Sequence, residues 1–381
     1  MRAPQEHPAA SCCGGVAARL ERRTLGRLAT PWTDGVLSTP VGEVPRARTR
    51  LGLRDHLGTL MVRSGFGRSR YRVPPGLYAI GSPTPASPVL LSANYKLSFD
   101  HLRGALDGRD AWLLVLDTRG INVWCAAGKG TFGTAEIVAR VRGCTLSRVV
   151  SHHKLVAPQL GAPGIAAHEV RQATSFHVVY GPVRASDLPA FLDARMTAEP
   201  EMRKVRFGLR ERLTLVPVEL TSYGRYALPV AAALLLLGGV SAHGFSFAAV
   251  STTGATAASL VLASFMTALV LGPVLLPWLP GRAFSLKGAV LGLALVAALA
   301  APGFPGPGLF ASWLHLAAWL ILAPAMTSFV LMNFTGASTF TSLSGVLREM
   351  RVAVPAQIAA GSVGLALWLA GLFFVAGGQA R

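Results

Sequence analysis

The sequence is poor in cysteine, with four among its 381 residues: Cys12, Cys13, Cys125 and Cys144. None of their spacings matches the paired patterns of structural zinc sites, and so few cysteines argue against a disulfide framework. We therefore expect reduced thiols in a cytoplasmic domain. The first fifteen residues also lack an apolar segment, so we expect no secretory signal there.

Charged side chains are nearly absent from the second half of the chain. After Tyr226 they are limited to Arg282, Lys287, Arg348, Glu349, Arg351 and Arg381. The preceding residues carry 31 basic and 17 acidic side chains, a net charge of +14. They contain no motif that reads nucleic acid, so the basic excess favours membrane lipid over nucleic acid as a partner.

The weakly charged half contains five apolar stretches, at residues 226–243, 249–276, 285–301, 309–333 and 354–376. A membrane-spanning helix needs about 17–25 such residues. Basic residues near the ends of spans stay in the cytoplasm, and here they separate the second stretch from the third and the fourth from the fifth. This distribution predicts a multi-pass protein of the cytoplasmic (inner) membrane, with its N-terminal domain in the cytoplasm and its C-terminus outside.

Ahead of these stretches, short apolar strands alternate with amphipathic helices. Strands are predicted at 88–93, 111–117, 148–152 and 176–181, and helices at 97–106, 135–143, 166–173 and 186–195, with Thr134 and Ser186 as caps. The alternation predicts a doubly wound, Rossmann-like α/β domain over residues 51–215, followed by an all-α transmembrane domain of five helices over 216–381. Ligands of such an α/β domain bind beyond the carboxyl ends of its strands.

Residues 1–50 are rich in Arg, Pro, Gly and Thr without periodicity, which predicts a poorly ordered basic arm. The adjacent Cys12 and Cys13 offer two soft ligands to a metal. Their place on an arm without predicted structure favours no binding role.

A run of small residues, GINVWCAAGKGT, closely follows the predicted strand 111–117. It is not a phosphate-binding loop, because Val123 stands where that motif needs a glycine five residues before Gly128. The serine motif GxSxG is absent, and no histidine or carboxylate adjoins Cys125 to activate it as a nucleophile. A cysteine beside Trp124 on a helix is also compatible with core packing. Its position after a strand end favours a binding site instead.

The octet Asn122–Lys129, NVWCAAGK, resembles the cap-helix signature of the corrinoid protein of microbial mercury methylation. The soluble domain of that family is related to the corrinoid iron-sulfur protein of the acetyl-CoA pathway. The similarity covers about residues 50–376 and includes PPGLYAIGSP (74–83), ANYKLSFD (93–100), PQLGAPG (158–164), YGPVRASDL (180–188) and NFTGASTFTSLSGV (333–346).

The resemblance implies a corrinoid-binding α/β domain in which Cys125 is the lower axial ligand of the cobalt of cobalamin. A thiolate is a strong electron donor, so this sulfur is the group on which the chemistry would depend. The residues implied to form the helix beneath the corrin are Asn122, Val123, Trp124, Cys125, Ala126, Ala127, Gly128 and Lys129. Asn122 would cap that helix, and the small side chains of Ala126, Ala127 and Gly128 would let it approach the flat macrocycle.

Other positions keep two interpretations each. Asn94 follows the predicted strand 88–93, where it could contact corrin amides or form a turn. Thr131 and Thr134 could bond the cofactor or cap a helix. His152 and His153 end the predicted strand 148–152, where they could face the corrin or be solvated. Cys144 shares none of this context and is expected in the core.

The function implied is that of a membrane-anchored, cobalamin-dependent methyltransferase. It would pass a methyl group, as a carbanion equivalent, from methylcobalamin to Hg(II), forming methylmercury. That transfer leaves Co(III), so two electrons are needed before a methyltetrahydrofolate-type donor can methylate the cobalt again. The chain has no CxxCxxC run of its own. The resemblance therefore implies a small ferredoxin-like partner with two [4Fe-4S] clusters as the reductant.

Two further functions stay open. The first is a corrinoid methyl carrier of one-carbon metabolism, similar to the acetyl-CoA pathway, that does not act on mercury. The second is a membrane transport protein with a regulatory soluble domain. Transport is disfavoured, because the predicted spans hold almost no ionisable residue apart from His243 and His315, and ion pathways usually need such groups.

Overall fold

The computed structural model describes residues 30–302, 309–310, 312–334 and 343–374. Cys12, Cys13 and residues 335–342 lie outside this part of the chain. The described residues form two compact units. The first contains those up to Val62 together with Phe66–Val205, and the second contains Arg63–Gly65 together with those from Arg206 onward.

The first unit is built on a seven-stranded sheet. Its strands are β1 (Thr33–Thr39), β2 (Gly42–Ala47), β3 (Gly76–Ile80), β4 (Val89–Ala93), β5 (Ala111–Leu116), β6 (Lys154–Ala157) and β7 (His177–Tyr180). Their order across the sheet is β1-β2-β3-β5-β4-β6-β7. Strands β5, β4, β6 and β7 are parallel to one another, whereas β3 is antiparallel to β5 and β1 is antiparallel to β2.

Helices cover both faces of this sheet. They are α1 (Leu53–Arg63), α2 (Lys96–Ala105), α3 (Val123–Gly128), α4 (Thr134–Gly143), α5 (Ala167–Thr174) and α6 (Leu188–Asp193). One core, with Trp112 and Phe132, lies under α3, α4 and α5, and a second, with Phe99 and Phe191, lies under α2 and α6. Every residue of β5 is buried, as expected of a continuous apolar strand covered on both faces. The predicted α/β domain is confirmed.

The sheet is not parallel throughout, contrary to the doubly wound prediction. A parallel neighbour requires a crossover connection of a dozen or more residues, usually a helix. The segment from β3 to β4 holds only residues 81–88 and no helix. The chain must therefore turn straight back, which sets β3 antiparallel to the strands that follow.

The prediction of a poorly ordered arm over residues 1–50 is wrong for residues 33–47. Strands β1 and β2 form a hairpin there, with Pro40 and Gly42 in the tight turn, positions that suit these residue types in turns. Strand β2 also pairs with β3, where Arg46 faces Ala79. This pairing is distant in sequence, so composition and periodicity within the hairpin do not reveal it.

The strand predicted at 148–152 is also wrong. The chain makes a short 3-10 turn at Leu146–Arg148, and Val149 and Val150 then fill the core without joining the sheet. The strand at this place is β6, which starts at Lys154. Two adjacent valines favour a strand in sequence. Here both side chains are buried in the core although their backbone is outside the sheet.

Neither predicted helix cap is present. Gly133 is the N-cap of α4, and the hydroxyl of Thr134 instead accepts a hydrogen bond from the backbone N–H of Ala166 at 2.8 Å. Ser186 lies inside the 3-10 turn Ala185–Asp187 that leads into α6, where no side chain caps the helix.

A buried ionic cluster joins α1 to α2. The ammonium of Lys96 lies 2.6 Å from a carboxylate oxygen of Asp55 and 2.6 Å from one of Asp100. Arg103 contacts the same two carboxylates at 2.9 Å and 2.8 Å. All four side chains are buried, so each charge depends on its partners for compensation.

The second unit consists mainly of helices. These are α7 (Leu209–Leu237), α8 (Phe247–Leu275), α9 (Phe284–Ala300), α10 (Trp313–Asn333) and α11 (Leu343–Phe374), with a small hairpin of β8 (Val240–Ser241) and β9 (Gly244–Phe245) between the first two. By length and composition, four of the described helices, α7, α8, α10 and α11, could cross a membrane. Helix α9 is shorter, at 17 residues. The predicted count of five spans is therefore not established.

Helix α7 departs from the predicted span 226–243 at both ends. It begins at Leu209, and it ends at Leu237 before the hairpin. The first turns of α7 contain charged residues, so an apolar stretch does not mark where the helix begins. One of these residues, Arg212, is buried. Arg212 donates to the carbonyl oxygens of Pro273 (2.7 Å) and Val274 (3.1 Å) at the carboxyl end of α8. Cations are favourable at that end of a helix.

Helix α9 lies close against α10 through two glycines on one of its sides. A Cβ at Gly288 would lie 2.4 Å from the carbonyl oxygen of Thr327, and one at Gly292 would lie 2.6 Å from the Cα of Pro324. Small residues four positions apart are a common means of close helix packing in membranes. Despite its length, α9 is thus an integral helix of the bundle.

We predict that Lys96→Met destabilises the first unit by about 3–5 kcal/mol, because it leaves two buried carboxylates without their shared ammonium. The change should appear as faster amide hydrogen exchange in β4 and α2 of the full-length protein in detergent. Lys154→Met, at an exposed lysine of β6, is the control and should leave exchange unaltered. Equal exchange in the two variants would contradict a structural role for the cluster.

The cluster also predicts a dependence on acid. Burial opposes the ionisation of Asp55, but hydrogen bonds from Lys96, Gly52 and Arg103 outweigh it and lower the pKa of Asp55 to about 2. The unfolded side chain has a pKa of about 3.9. The stabilisation is therefore complete above about pH 4 and is lost as the pH falls toward 2. Hydrogen exchange of α1 measured across this range should show the loss, and Asp55→Asn should remove that dependence.

Candidate functional site

The loop after β5 lies at the carboxyl edge of the parallel strands. Strands β4, β5 and β6 run in one direction, and the chain passes from β5 to β6 across β4. The direction of chain progress thus reverses beside β4. Open α/β sheets bind ligands in the crevice at such a reversal, and residues 117–131 begin there.

The side chain of Asn94 holds this loop. Asn94 follows β4 and is 3% exposed. Its Oδ1 accepts hydrogen bonds from the backbone N–H groups of Thr118 (3.1 Å) and Gly120 (2.9 Å), and its Nδ2 donates to Asp117 Oδ1 at 2.9 Å. The Thr118 hydroxyl lies 2.8 Å from the same Oδ1. This geometry gives Asn94 a turn-forming role, and its contact with corrin amides stays a prediction.

Two consecutive residues of the loop have left-handed backbone conformations. Arg119 has a φ of 59° and Gly120 a φ of 76°. A Cβ at Gly120 would lie 2.7 Å from the Cγ of Arg72, so only glycine fits without displacement. The backbone N–H of Arg119 donates to Asp117 Oδ1 at 3.0 Å. The loop is therefore held in a conformation that an unsupported chain rarely adopts.

Helix α3 presents Cys125 on the protein surface. Asn122 is the N-cap, as predicted, and its side chain accepts a hydrogen bond from the backbone N–H of Cys125 at 2.9 Å. Cys125 is exposed, and the neighbouring Trp124 is 45% exposed. Because neither side chain is inside the protein, core packing does not account for this pair.

Ala126 and Ala127 face the opposite way. Both are buried and pack in the same core as Phe132, and the half-buried Val123 packs against that core as well. The structure thus gives these alanines a packing role, and their part in the approach of α3 to a macrocycle stays a prediction. Their small size lets α3 lie close to its own domain.

The solvent side of the helix, here called the open face, consists of Trp124, Cys125, Gly128 and Lys129. A Cβ at Gly128 would meet nothing within 4 Å, and the same is true of Gly130 just after the helix. Glycine at position 128 is therefore not required by any packing within the chain. It leaves the surface around the thiol free of side chains.

A 3-10 turn, Gln159–Gly164, supports α3 from within the domain. A Cβ at Gly164 would lie 2.3 Å from the carbonyl oxygen of Phe132 and 3.1 Å from the Cα of Ala127. One at Gly161 would lie 2.5 Å from the ring of Phe132. These glycines, like Thr118, were not predicted as site residues. The two glycines of PQLGAPG are the feature of the sequence that indicates a tight turn at this place.

Thr131 takes part in the end of α3. Its backbone N–H donates to the carbonyl oxygen of Ala126 at 2.9 Å, and its hydroxyl lies 3.4 Å from the same oxygen. The helix-terminus alternative for Thr131 is therefore the one that the hydrogen bonds favour. The hydroxyl of Thr134 bonds to the loop before α5 and also serves the fold.

His152 and His153 lie at the other edge of the sheet. They precede β6, so they adjoin the amino ends of the parallel strands. His152 Nε2 lies 2.9 Å from the carbonyl oxygen of Ser87, which precedes β4, and His153 packs on Phe176 with ring centroids 5.2 Å apart. The interpretation that they face a ligand beside Cys125 is wrong, because the strand that they were thought to end begins after them.

The two cysteines of this domain differ in environment. Cys144 is 1% exposed, as predicted for a core residue, and burial raises its pKa to about 12. Cys125 is exposed and carries the accessible thiol. Among the residues that the structure describes, no three His, Cys, Asp or Glu side chains are grouped to hold a metal ion.

The fold and this loop define an α/β domain that displays one thiol at the carboxyl edge of its sheet. Residues 66–192 match the family model of the CO dehydrogenase/acetyl-CoA synthase delta subunit. The chain is 34% identical over 128 residues to the acetyl-CoA decarbonylase/synthase complex subunit gamma of Methanopyrus kandleri, covering 33% of this chain and 27% of that protein.

A second relative is the corrinoid/iron-sulfur protein large subunit of Moorella thermoacetica. It is 29% identical over 129 residues, which are 33% of this chain and 28% of that protein. The chain thus spans little more than a quarter of the length of these two relatives. The family match runs from the segment before β3 to α6 and includes all of α3. This part of the chain is a domain related to the corrinoid/iron-sulfur proteins.

We predict that Asn94→Leu loosens the loop, because it leaves the buried N–H group of Gly120 without its acceptor, at about 1–3 kcal/mol, and leaves that of Thr118 only the carbonyl oxygen of Leu116. Amide exchange at residues 117–122 should accelerate at least tenfold. Gln172→Leu, at an exposed position of α5, is the control. Unaltered exchange at Thr118 and Gly120 in the Asn94 variant would contradict the role assigned to its amide.

The two sides of α3 give a matched pair of glycine substitutions. Gly164→Ala should lower the melting temperature of the first unit by several degrees, because its Cβ would meet the backbone of Phe132 and Ala127. Gly128→Ala should leave the melting temperature of the cofactor-free protein unchanged or slightly raised, since alanine favours a helix. A larger loss with Gly128→Ala would show that the open face is packed against protein.

Proposed function

We propose that the chain is a membrane-anchored corrinoid protein that carries a methyl group in one-carbon chemistry, with Cys125 as its metal-binding residue. The observation that carries the proposal is the exposed thiol on α3, inside a segment similar to proteins named as corrinoid/iron-sulfur and acetyl-CoA decarbonylase/synthase subunits. The methyl carrier of an acetyl-CoA-type pathway is therefore the form of the proposal with the broadest support.

The residues of the site fit a corrinoid in three respects. The open face carries one soft ligand, Cys125. Gly128 leaves room around it, since a Cβ there would meet nothing within 4 Å. The exposed indole of Trp124 offers apolar surface to a macrocycle. Packing within the described chain accounts for none of these features.

Cobalamin, when bound, supplies a cobalt that accepts and releases a methyl group. The chain itself contributes the position of one sulfur. Asn122 anchors the backbone of Cys125, Asn94 fixes the loop that precedes it, and Gly164 allows the supporting turn to approach. A thiolate held in this way would bind the metal and donate electron density to it. Asn122, Trp124, Cys125, Gly128 and Lys129 are therefore the proposed first contacts of the cofactor.

The second candidate function is methyl transfer to Hg(II), which would make the protein a mercury methyltransferase. The specific observation in its favour is the thiol of Cys125, because a thiolate ligand would favour release of the methyl group as a carbanion equivalent. Hg(II) is an electrophile that can accept such a group. Methyl transfer to mercury is thus tied to sulfur at this position, whereas methyl carriage in one-carbon metabolism is not.

Both forms of the proposal call for further partners. A methyltetrahydrofolate-type donor would supply the methyl group. Transfer as a carbanion equivalent, as to Hg(II), would also consume two electrons, which would come from a small ferredoxin-like protein with two [4Fe-4S] clusters, because this sequence has no cluster-binding run of its own. The net charge of +14 before Ala227 would favour encounter with an acidic protein of that kind.

We also propose that α7 to α11 anchor the protein in the cytoplasmic membrane, with α9 as a fifth, short span. Seventeen residues give a helix of about 25 Å, close to the bilayer core of about 30 Å. Arg282, Lys287, Arg348 and Arg351 lie in or beside the two connections assigned to the cytoplasm. The first unit would then be cytoplasmic and the C-terminus outside.

The experiment that tests the function is anaerobic purification of the full-length protein with cobalamin, followed by its absorption spectrum and methyl-transfer assays. We expect bound cobalamin in the native protein. Cys125→Ala should lose methyl transfer to Hg(II) while keeping its fold, and Cys125→His should keep the cofactor but lose most activity. Cys144→Ala is the control, because it removes the other described thiol of the domain and should keep activity.

The outcomes separate the candidates. Failure to bind any corrinoid would contradict both forms of the proposal and favour a transport protein with a regulatory domain. Corrinoid binding without methylmercury, even with the ferredoxin-like partner, would leave the one-carbon carrier. Full activity of Cys125→Ala would contradict the role of its sulfur.

A further inference from the structure

Helix α1 turns its apolar side outward. Leu53, Leu57, Leu60 and Met61 are between 44% and 74% exposed, and Phe66, just beyond the helix, is 62% exposed. The four helical positions are spaced at intervals of four, three and one, so they form one stripe along the helix. An exposed stripe of this kind marks an interaction surface.

The side of α1 that faces the domain makes its contacts without the side chains of this stripe. Val62 is buried, and Asp55 faces the domain, where it bonds to Lys96 and Arg103. The helix is thus attached by an ionic cluster and one buried valine. Its large apolar side chains therefore do not serve the core of the first unit.

Exposed arginines flank the stripe in sequence. Arg50, Arg54, Arg68 and Arg70 are exposed. The acidic residue of the segment 50–70 is Asp55, and its charge is compensated inside the domain. The surface formed by the stripe, Phe66 and these four arginines, here called the α1 surface, is therefore apolar and cationic. Leucine with arginine on a helix is typical of binding in the interface of an anionic bilayer.

The chain also links this helix directly to the membrane-type helices. Arg63–Gly65, which follow Val62 without interruption, belong to the second unit. Within that unit, the hydroxyl of Thr221 in α7 donates to the carbonyl oxygen of Ser64 at 2.7 Å. The α1 surface is therefore continuous in sequence with residues fixed on a helix that is long and apolar enough to span a bilayer.

We infer that the α1 surface binds the headgroup interface of an anionic membrane. Its leucines, Met61 and Phe66 enter the boundary of the acyl chains, and its arginines contact lipid phosphates. This inference rests on the proposed membrane location of α7 to α11 and does not require a bound corrinoid.

The test places a nitroxide at single cysteines in the full-length protein, with Cys12, Cys13 and Cys125 replaced by serine. Cys144 stays, since it is buried. The labelled variants are Leu60→Cys for the α1 surface, Gln172→Cys as an exposed polar control, and Phe329→Cys as a control on the outside of α10. Each is reconstituted in phosphatidylcholine vesicles with or without phosphatidylglycerol. Collision rates are measured with oxygen, which concentrates in lipid, and with a water-soluble nickel complex.

We expect the ratio of oxygen to nickel collisions at Leu60→Cys to exceed that at Gln172→Cys several-fold in vesicles with phosphatidylglycerol. Adding Arg54→Glu and Arg68→Glu should bring it down to the control. A ratio equal to that of Gln172→Cys in both lipids would overturn the inference. Protection of Leu60→Cys from both reagents would also overturn the inference and indicate a protein partner. A ratio that is equally high with and without phosphatidylglycerol would overturn the role of the arginines.

Phe329→Cys separates the inference about the α1 surface from the proposed membrane location of α7 to α11. Lipid contact at Phe329→Cys with water contact at Leu60→Cys would contradict the α1 surface alone. Water contact at both would contradict the membrane location of the second unit as well.

Discussion

The amide of Asn94 is the constraint on which the candidate site depends. It bridges the end of β4 to the loop after β5 and bonds to two backbone N–H groups and one carboxylate of that loop. With these bonds in place, Arg119 and Gly120 keep their left-handed conformations and α3 starts at a fixed point. Without them, a six-residue helix would have little to define its direction, because helices this short are unstable alone.

The direction of α3 decides which of its residues can meet a ligand. The octet Asn122–Lys129 looks uniform in sequence, but it divides into two sides. Ala126 and Ala127 join the core, whereas Cys125 and Gly128 are open to solvent. Small residues are needed on both sides, for different reasons. Those inside let the helix approach its own domain, and the glycine outside leaves space beside the thiol.

The sequence was sufficient for the features that depend on local pattern. The apolar run of β5 follows from its residue pattern, the cap at Asn122 was implied by the resemblance, and Cys144 was expected in the core because it lacks the context of Cys125. The structure agrees with all three. Features that depend on distant partners were out of reach. Asn94 kept two interpretations, a ligand contact or a turn, because its bonds are made to residues more than twenty positions away. The hairpin of β1 and β2 and the antiparallel β3 likewise depend on pairings that no local window contains.

The central claim is that the sulfur of Cys125 lies on an open surface, where it can coordinate the cobalt of a bound corrinoid. Cobalt X-ray absorption on the full-length protein loaded with cobalamin tests this most directly. The account predicts sulfur in the first coordination shell of the native protein and its absence in Cys125→Ala. A first shell of nitrogen and oxygen alone, the same in both proteins, would contradict it.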